Sequence, residues 1–219
     1  ISGNRTVFRN DKYGYNGKLT IDTVLPGPDN TVIEKVGGPG KEFWVVDKNY
    51  PGINTIQEGT VKESDGWRME LSPKNPSETD YFLNVLQVGD ANPDMPPLPV
   101  TDISTDKVAG VQIADRVVVF SKQKGRTKET VEFTVTGDQN YKIYVADAEV
   151  GTWKIQHNGA DAGSAVATAD GGLLCFEGKA GAYKVVFESN STDGRVEIAP
   201  VVIPQEGVEL RLDKKFLYT

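Results

Sequence analysis

Val131-Glu132-Phe133-Thr134-Val135 places an apolar side chain at every second position, with Glu132 and Thr134 between them. A period of two sends one set of side chains into a core and the other into water, which is the pattern of a half-buried β-strand. The rhythm recurs outward from this stretch. Trp153, Ile155 and His157 alternate with Lys154 and Gln156. Tyr183, Val185 and Phe187 share one face, and Val208, Leu210 and Leu212 alternate with Glu209 and Arg211. Arg116-Val117-Val118-Val119-Phe120 and Tyr81-Phe82-Leu83-Asn84-Val85-Leu86 are apolar on both parities and read as central strands buried on both faces. Turn chemistry separates the runs: Gly37-Gly38-Pro39-Gly40, Asp65-Gly66, Asn158-Gly159, Gly171-Gly172 and Asp193-Gly194 offer positive φ or hairpin geometry. No sustained helical stripe occurs. The expected fold is all-β, a large antiparallel β-sandwich of two or more stacked sheets with about 14 to 16 strands.

The sandwich is expected to fill residues 1–195, with a long proline-rich crossover over 89–106 that holds Pro93, Pro96, Pro97 and Pro99. Residues 196–219 read as an edge hairpin or as a linker to a further module. Hydrophobic residues make up 38% of the chain and charged residues 25%, a balance that suits a packed core. A net charge of −7 argues against nucleic acid, which needs a basic face. No apolar run approaches the roughly 18 residues of a membrane helix, so no membrane partner is expected. Ile1 stands where Met would begin a gene product, which points to a processed form or a fragment. The single cysteine, Cys175, lies in Leu173-Leu174-Cys175-Phe176 and reads as a small core residue rather than a nucleophile.

Several segments, in order, resemble one family. They are Leu25-Pro26, Val36-Gly37-Gly38-Pro39-Gly40-Lys41-Glu42-Phe43-Trp44-Val45, Asn49-Tyr50-Pro51, Trp67-Arg68-Met69-Glu70-Leu71-Ser72-Pro73, Asp80 to Leu86, Gly110-Val111 and Arg116 to Ser121. The set resembles the C-terminal β-sandwich region of heparinase II/III-like polysaccharide lyases, whose relatives include alginate lyases with an α/α-toroid followed by sandwich domains. The resemblance implies a bacterial parent enzyme that is secreted, periplasmic or at the cell surface and cleaves uronic-acid polymers, such as alginate or heparin-like glycans, by β-elimination. It also implies an upstream helical toroid of the same parent as a partner. The toroid and the histidine-bearing strands that precede Leu25-Pro26 in the family are absent here. This chain is therefore expected to support the toroid, and to bind an anionic polysaccharide, without catalysis of its own. The alternative is a stand-alone structural or adhesion sandwich of a bacterial surface protein.

No catalytic residue is assigned. β-Elimination needs a group to neutralise the carboxylate, a base and an acid. The lone histidine, His157, reads as a rim residue, and one His with one apolar Cys does not make a zinc site. No cofactor is expected. Calcium is the one alternative, through Asp90, Asp94, Asp102 and Asp106 in the crossover, although their spacing is not that of an EF-hand. Lys122, Lys124, Arg126 and Lys128 form the only dense basic run and are read as one hairpin tip that holds uronate carboxylates. Trp44 and Tyr50 are candidate aromatic platforms for sugar rings, whereas Trp67 and Trp153 are expected in the core.

Overall fold

A computed structural model describes residues 1–11, 14–38, 41, 43–50 and 67–192. The strand Val208–Leu212, the terminal hairpin or linker at 196–219, the Asp65-Gly66 and Asp193-Gly194 turns, Pro39, Gly40 and Pro51 lie outside these residues. The strands run β1 (Arg5–Asn10), β2 (Gly17–Leu25), β3 (Thr31–Gly37), β4 (Trp44–Val45), β5 (Lys48–Asn49), β6 (Trp67–Pro73), β7 (Leu83–Asp90), β8 (Val100–Asp102), β9 (Val108–Ile113), β10 (Arg116–Ser121), β11 (Val131–Val145), β12 (Gly151–His157), β13 (Ala160–Ala167) and β14 (Leu174–Ser189). One 3-10 turn at Pro28–Asn30 is the only helical element among the described residues. The fold is all-β, as the alternation predicts.

The sheets are a three-stranded one (β1-β2-β7), a seven-stranded one (β13-β12-β14-β11-β10-β9-β8) and two two-stranded ribbons, β3-β6 and β4-β5. In the large sheet β11 and β14 lie side by side for almost their whole length. Val131–Val135 pairs with 181–185, and Asn140–Val145 pairs with 174–179. The register slips between Val135 and Asn140, where Gly137 has φ 109. A bulge sharpens local twist, so the two halves of the sheet curl over a single core. Trp153 and Ile155 from β12 meet Val117 and Val119 from β10 and Ile143 and Val145 from β11 in one cluster. Asn158-Gly159, with φ 51 and 80, closes the β12-β13 hairpin, as the sequence indicates.

Three local expectations change. The run Tyr81–Leu86 is not buried on both faces: it leads into β7, the outer strand of the small sheet, where Leu86 is 60% and Val88 87% exposed. An outer strand has one neighbour and only part of one face covered, which apolar composition alone does not reveal. In β10, Val117 and Val119 are fully buried while Phe120 is 39% exposed, so this strand is covered on one face. Lys122–Lys128 is not a hairpin tip, because β10 pairs with β11 in parallel, Arg116–Val119 against Lys142–Val145. Parallel neighbours require a crossover, and this segment is that crossover. It is pinned to the turn before β12 by the bonds Thr127 N to Asp147 O and Glu149 N to Thr127 O, at 2.8 and 2.9 Å.

Candidate functional site

The β4-β5 ribbon and the β3-β6 ribbon meet through the Arg68 side chain. Arg68 on β6 donates from its guanidinium to the carbonyl of Trp44 on β4, and its Nε also donates to Glu70 at 2.7 Å. Gly38, with φ 87, lies against the Trp67 ring so closely that a Cβ there would fall 2.4 Å from the ring. The Gly38 carbonyl accepts from the Lys41 N–H at 2.8 Å, and the Lys41 carbonyl accepts from the Trp44 N–H at 3.2 Å. Across the short ribbon Trp44 faces Asn49, whose Oδ1 accepts from the Phe43 N–H at 3.0 Å. Phe43, Trp44 and Tyr50 thus lie on or beside the short ribbon, and Trp67 lies on β6.

Each of three rings holds a lysine ammonium. Lys35 Nζ lies 3.7 Å from the Trp67 ring centre, Lys41 Nζ 4.9 Å from Trp44 and Lys48 Nζ 5.2 Å from Tyr50. The quadrupole of an aromatic ring attracts a cation by about 0.5–1 kcal/mol at exposed sites. That is enough to place a charge and too little to lock it. Phe43, Tyr50 and Trp67 are 45, 51 and 46% exposed, and Trp44 is half-buried. Trp44 and Tyr50 thus lie on one ribbon. Trp67, expected in the core, is partly exposed instead, because the ribbon that carries it lies outside the main cluster. Trp153 is fully buried as expected. The lysines were missed because single lysines, Lys35 in β3, Lys48 in β5 and Lys41 before β4, carry no signal until the rings beneath them are known.

The basic run 122–128 does not converge. Lys122 Nζ donates to the Thr105 carbonyl at 2.7 Å, Arg126 to the Ala169 carbonyl at 2.6 Å and Lys128 to Asn190 Oδ1 at 3.0 Å. Lys124 is exposed. The three bonded cations are drawn toward three different parts of the chain. Among the described residues no three His, Cys, Asp or Glu side chains gather as a metal site. Of the four crossover aspartates, Asp94 is held by Lys18 and Arg9, and Asp102 accepts from the Ser104 N–H at 2.8 Å.

His157 stacks on Tyr183 with ring centres 4.7 Å apart, and Tyr183 stacks on Phe133 at 5.4 Å. The His157 Nε2 lies 3.0 Å from the Ala180 carbonyl and 3.3 Å from Asn158 Nδ2. Cys175 is half-buried, and desolvation raises its thiol above the usual range, so it is a poor nucleophile near neutral pH.

A second charged constellation, also unseen in the sequence, lies on the small sheet. Arg5, Val7 and Arg9 alternate along β1 opposite Asp22, Thr20 and Lys18 on β2. The segment after β7 crosses this face as a strap. Asp94 pairs with Arg9 at 2.7 Å and with Lys18, and Lys18 also donates to the Met95 carbonyl. Lys18 and then Arg9 hold the Asp94 carboxyl below its ordinary value.

Comparison with curated proteins finds no match. Residues 102–186 match the family model of the heparinase II C-terminal domain, a span that falls inside the large sheet between β8 and β14, and the match agrees with a C-terminal region of the heparinase II/III-like lyases.

Proposed function

We propose that this chain is the sandwich portion of a polysaccharide lyase and that it holds an anionic polysaccharide on the ribbon surface of Trp44, Tyr50 and Trp67 with Lys35, Lys41 and Lys48. The observation that carries the reading is the set of three ammonium–ring pairs on the two two-stranded ribbons. A uronate unit has an apolar ring face and a carboxylate at its edge. Each lysine is held over its ring only weakly, so it can swing to the carboxylate and free the ring face for the sugar, which answers both features through ring contact and a charge-assisted hydrogen bond. Each exposed lysine–carboxylate contact contributes about 1 kcal/mol or less, so affinity comes from several weak contacts and falls as salt rises. The crossover Lys122, Lys124, Arg126 and Lys128 contributes less in this reading, since three of its cations already donate to carbonyl or amide oxygens. Substrate breakdown belongs in this reading to an upstream toroid of the parent enzyme.

Affinity electrophoresis of the intact chain through alginate and heparin gels tests it. The parent chain is expected to be retarded, and the combined Lys35→Ser, Lys41→Ser and Lys48→Ser variant to lose most of that retardation. The fourfold serine variant at 122, 124, 126 and 128 should lose less. No retardation of the parent, or full retardation of the triple variant, overturns the proposal and turns the assignment toward a structural or adhesion sandwich.

A further inference from the structure

Beneath the strap lies a cleft of about 370 Å3 lined by Arg5, Arg9, Lys18, Thr20, Asp94 and Pro96, among others. The Lys18 side chain is 8% exposed. An ammonium this deeply placed persists only with oxygens around it, and here the strap supplies them, through the Asp94 carboxylate and the Met95 carbonyl. Arg9 is fixed independently, by donation to the Ala91 carbonyl at 3.2 Å, and turns its other nitrogen to Asp94 at 2.7 Å. The seat for a carboxylate is thus built by the sheet, while the carboxylate in it comes from a segment that water reaches: the Asp94 side chain is 59% exposed. Beyond these ion pairs, Gln87 exchanges bonds of 3.0 and 2.8 Å with the backbone of Leu98. Met95 and Leu98 are 61 and 52% exposed, so the strap buries little apolar surface that would resist its lifting.

We propose that this cleft binds the carboxylate of a uronate sugar, with Asp94 as the resident stand-in that an incoming uronate displaces from Arg9 and Lys18. Three cations, Arg5, Arg9 and Lys18, face two carboxylates, Asp22 and Asp94, which leaves the seat at +1; without Asp94 it stands at +2. Exchange of one carboxylate for another leaves the buried ammonium paired in both end states. The volume falls within the roughly 300–1,000 Å3 of small-ligand pockets. Because Asp94 competes from within the chain, the seat is free for only a fraction of the time, and apparent affinity is reduced by that fraction.

The ligand class rests on the polysaccharide reading above; the location does not. Calorimetry on the intact chain and on Asp94→Asn uses three probes: a tetrauronate cut from alginate, neutral cellotetraose and inorganic sulfate. NMR follows the 94–98 amides (those that carry an N–H) in the parent chain. Asp94→Asn should bind tetrauronate at least about tenfold tighter than the parent, and Arg9→Gln added to it should abolish the gain. The parent strap amides should shift with tetrauronate and not with cellotetraose, a readout that stands even if Asp94→Asn folds poorly. Tetrauronate binding that responds to Trp67→Ala but not to Asp94→Asn, with still strap amides, overturns this site and spares the ribbon surface. Sulfate bound by Asp94→Asn as tightly as tetrauronate reduces the cleft to a bare anion seat and overturns the sugar assignment. Absence of tetrauronate binding from every form overturns both readings.

Discussion

Tyr141 shows how single residues set the bulge on which the large sheet folds. Its hydroxyl donates to the Thr136 carbonyl at 2.7 Å, and Gln112 Nε2 donates to the same oxygen at 2.7 Å. The absent Cβ of Gly137 leaves the space: a methyl there would fall 2.0 Å from the Tyr141 hydroxyl, at a φ of 109 that other residues resist. Gly137→Ala should therefore lower stability by about 1–3 kcal/mol. Tyr141→Phe should cost nearer 1 kcal/mol, because Gln112 still satisfies the carbonyl it leaves. Urea melts of both variants check the order; a larger loss for Tyr141→Phe than for Gly137→Ala contradicts it. Trp153, fully buried and bonded through Nε1 to the Glu149 carbonyl at 2.9 Å, should cost about 3–5 kcal/mol as alanine.

Elements differ in how firmly they are held. The strap depends on Asp94, whose carboxyl is depressed by Lys18 and Arg9. A group with a lowered folded value contributes stability that is present above its unfolded value, about 3.9 for aspartate, and lost as pH falls through the folded one. The strap should thus stay closed from neutral pH to about 4 and loosen below it. Amide exchange at 94–98, compared with that of β2 across this range, reads the change; parallel behaviour of the two segments argues against it. Strand β7 gives the opposite case. Val88 is 87% exposed, so Val88→Ser should move stability by less than about 0.5 kcal/mol despite the apolar run around it. A loss above about 2 kcal/mol in the same melts would mean that this face is covered in solution.

At the scale of the molecule, a net charge of −7 repels a polyanion at long range, and contact depends on local reversals of sign. Binding to alginate should weaken steeply between low salt and about 0.15 M, where the Debye length shortens to about 8 Å. Insensitivity to salt would point to ring contact alone. Catalytic silence is also expected: His157 is committed to the Ala180 carbonyl and a ring stack, so the isolated chain should release no unsaturated uronate from alginate or heparin. Turnover that disappears in His157→Ala would contradict this.

Local features were legible in the order of residues. Period-two alternation marks β11, β12 and β14 because each strand has a wet face and a dry face, and Asn158-Gly159 marks a hairpin because its backbone chemistry is self-contained. Pro93, Pro96, Pro97 and Pro99 mark the irregular segment that forms the strap, but Val100–Asp102, inside the crossover expected over 89–106, is strand β8 of the large sheet. Which side chains meet emerged only from the folded chain. Parallel pairing of β10 with β11 turned a supposed hairpin tip into a crossover, and a connection of that length reads the same in either case. Trp67 left the core because Gly38 and Lys35, about thirty residues away in sequence, receive its ring. Arg9, Lys18 and Asp94 became one seat only when the strap crossed β1 and β2. Strand propensity is set within a few residues, whereas burial and charge pairing depend on neighbours that only the folded chain brings together.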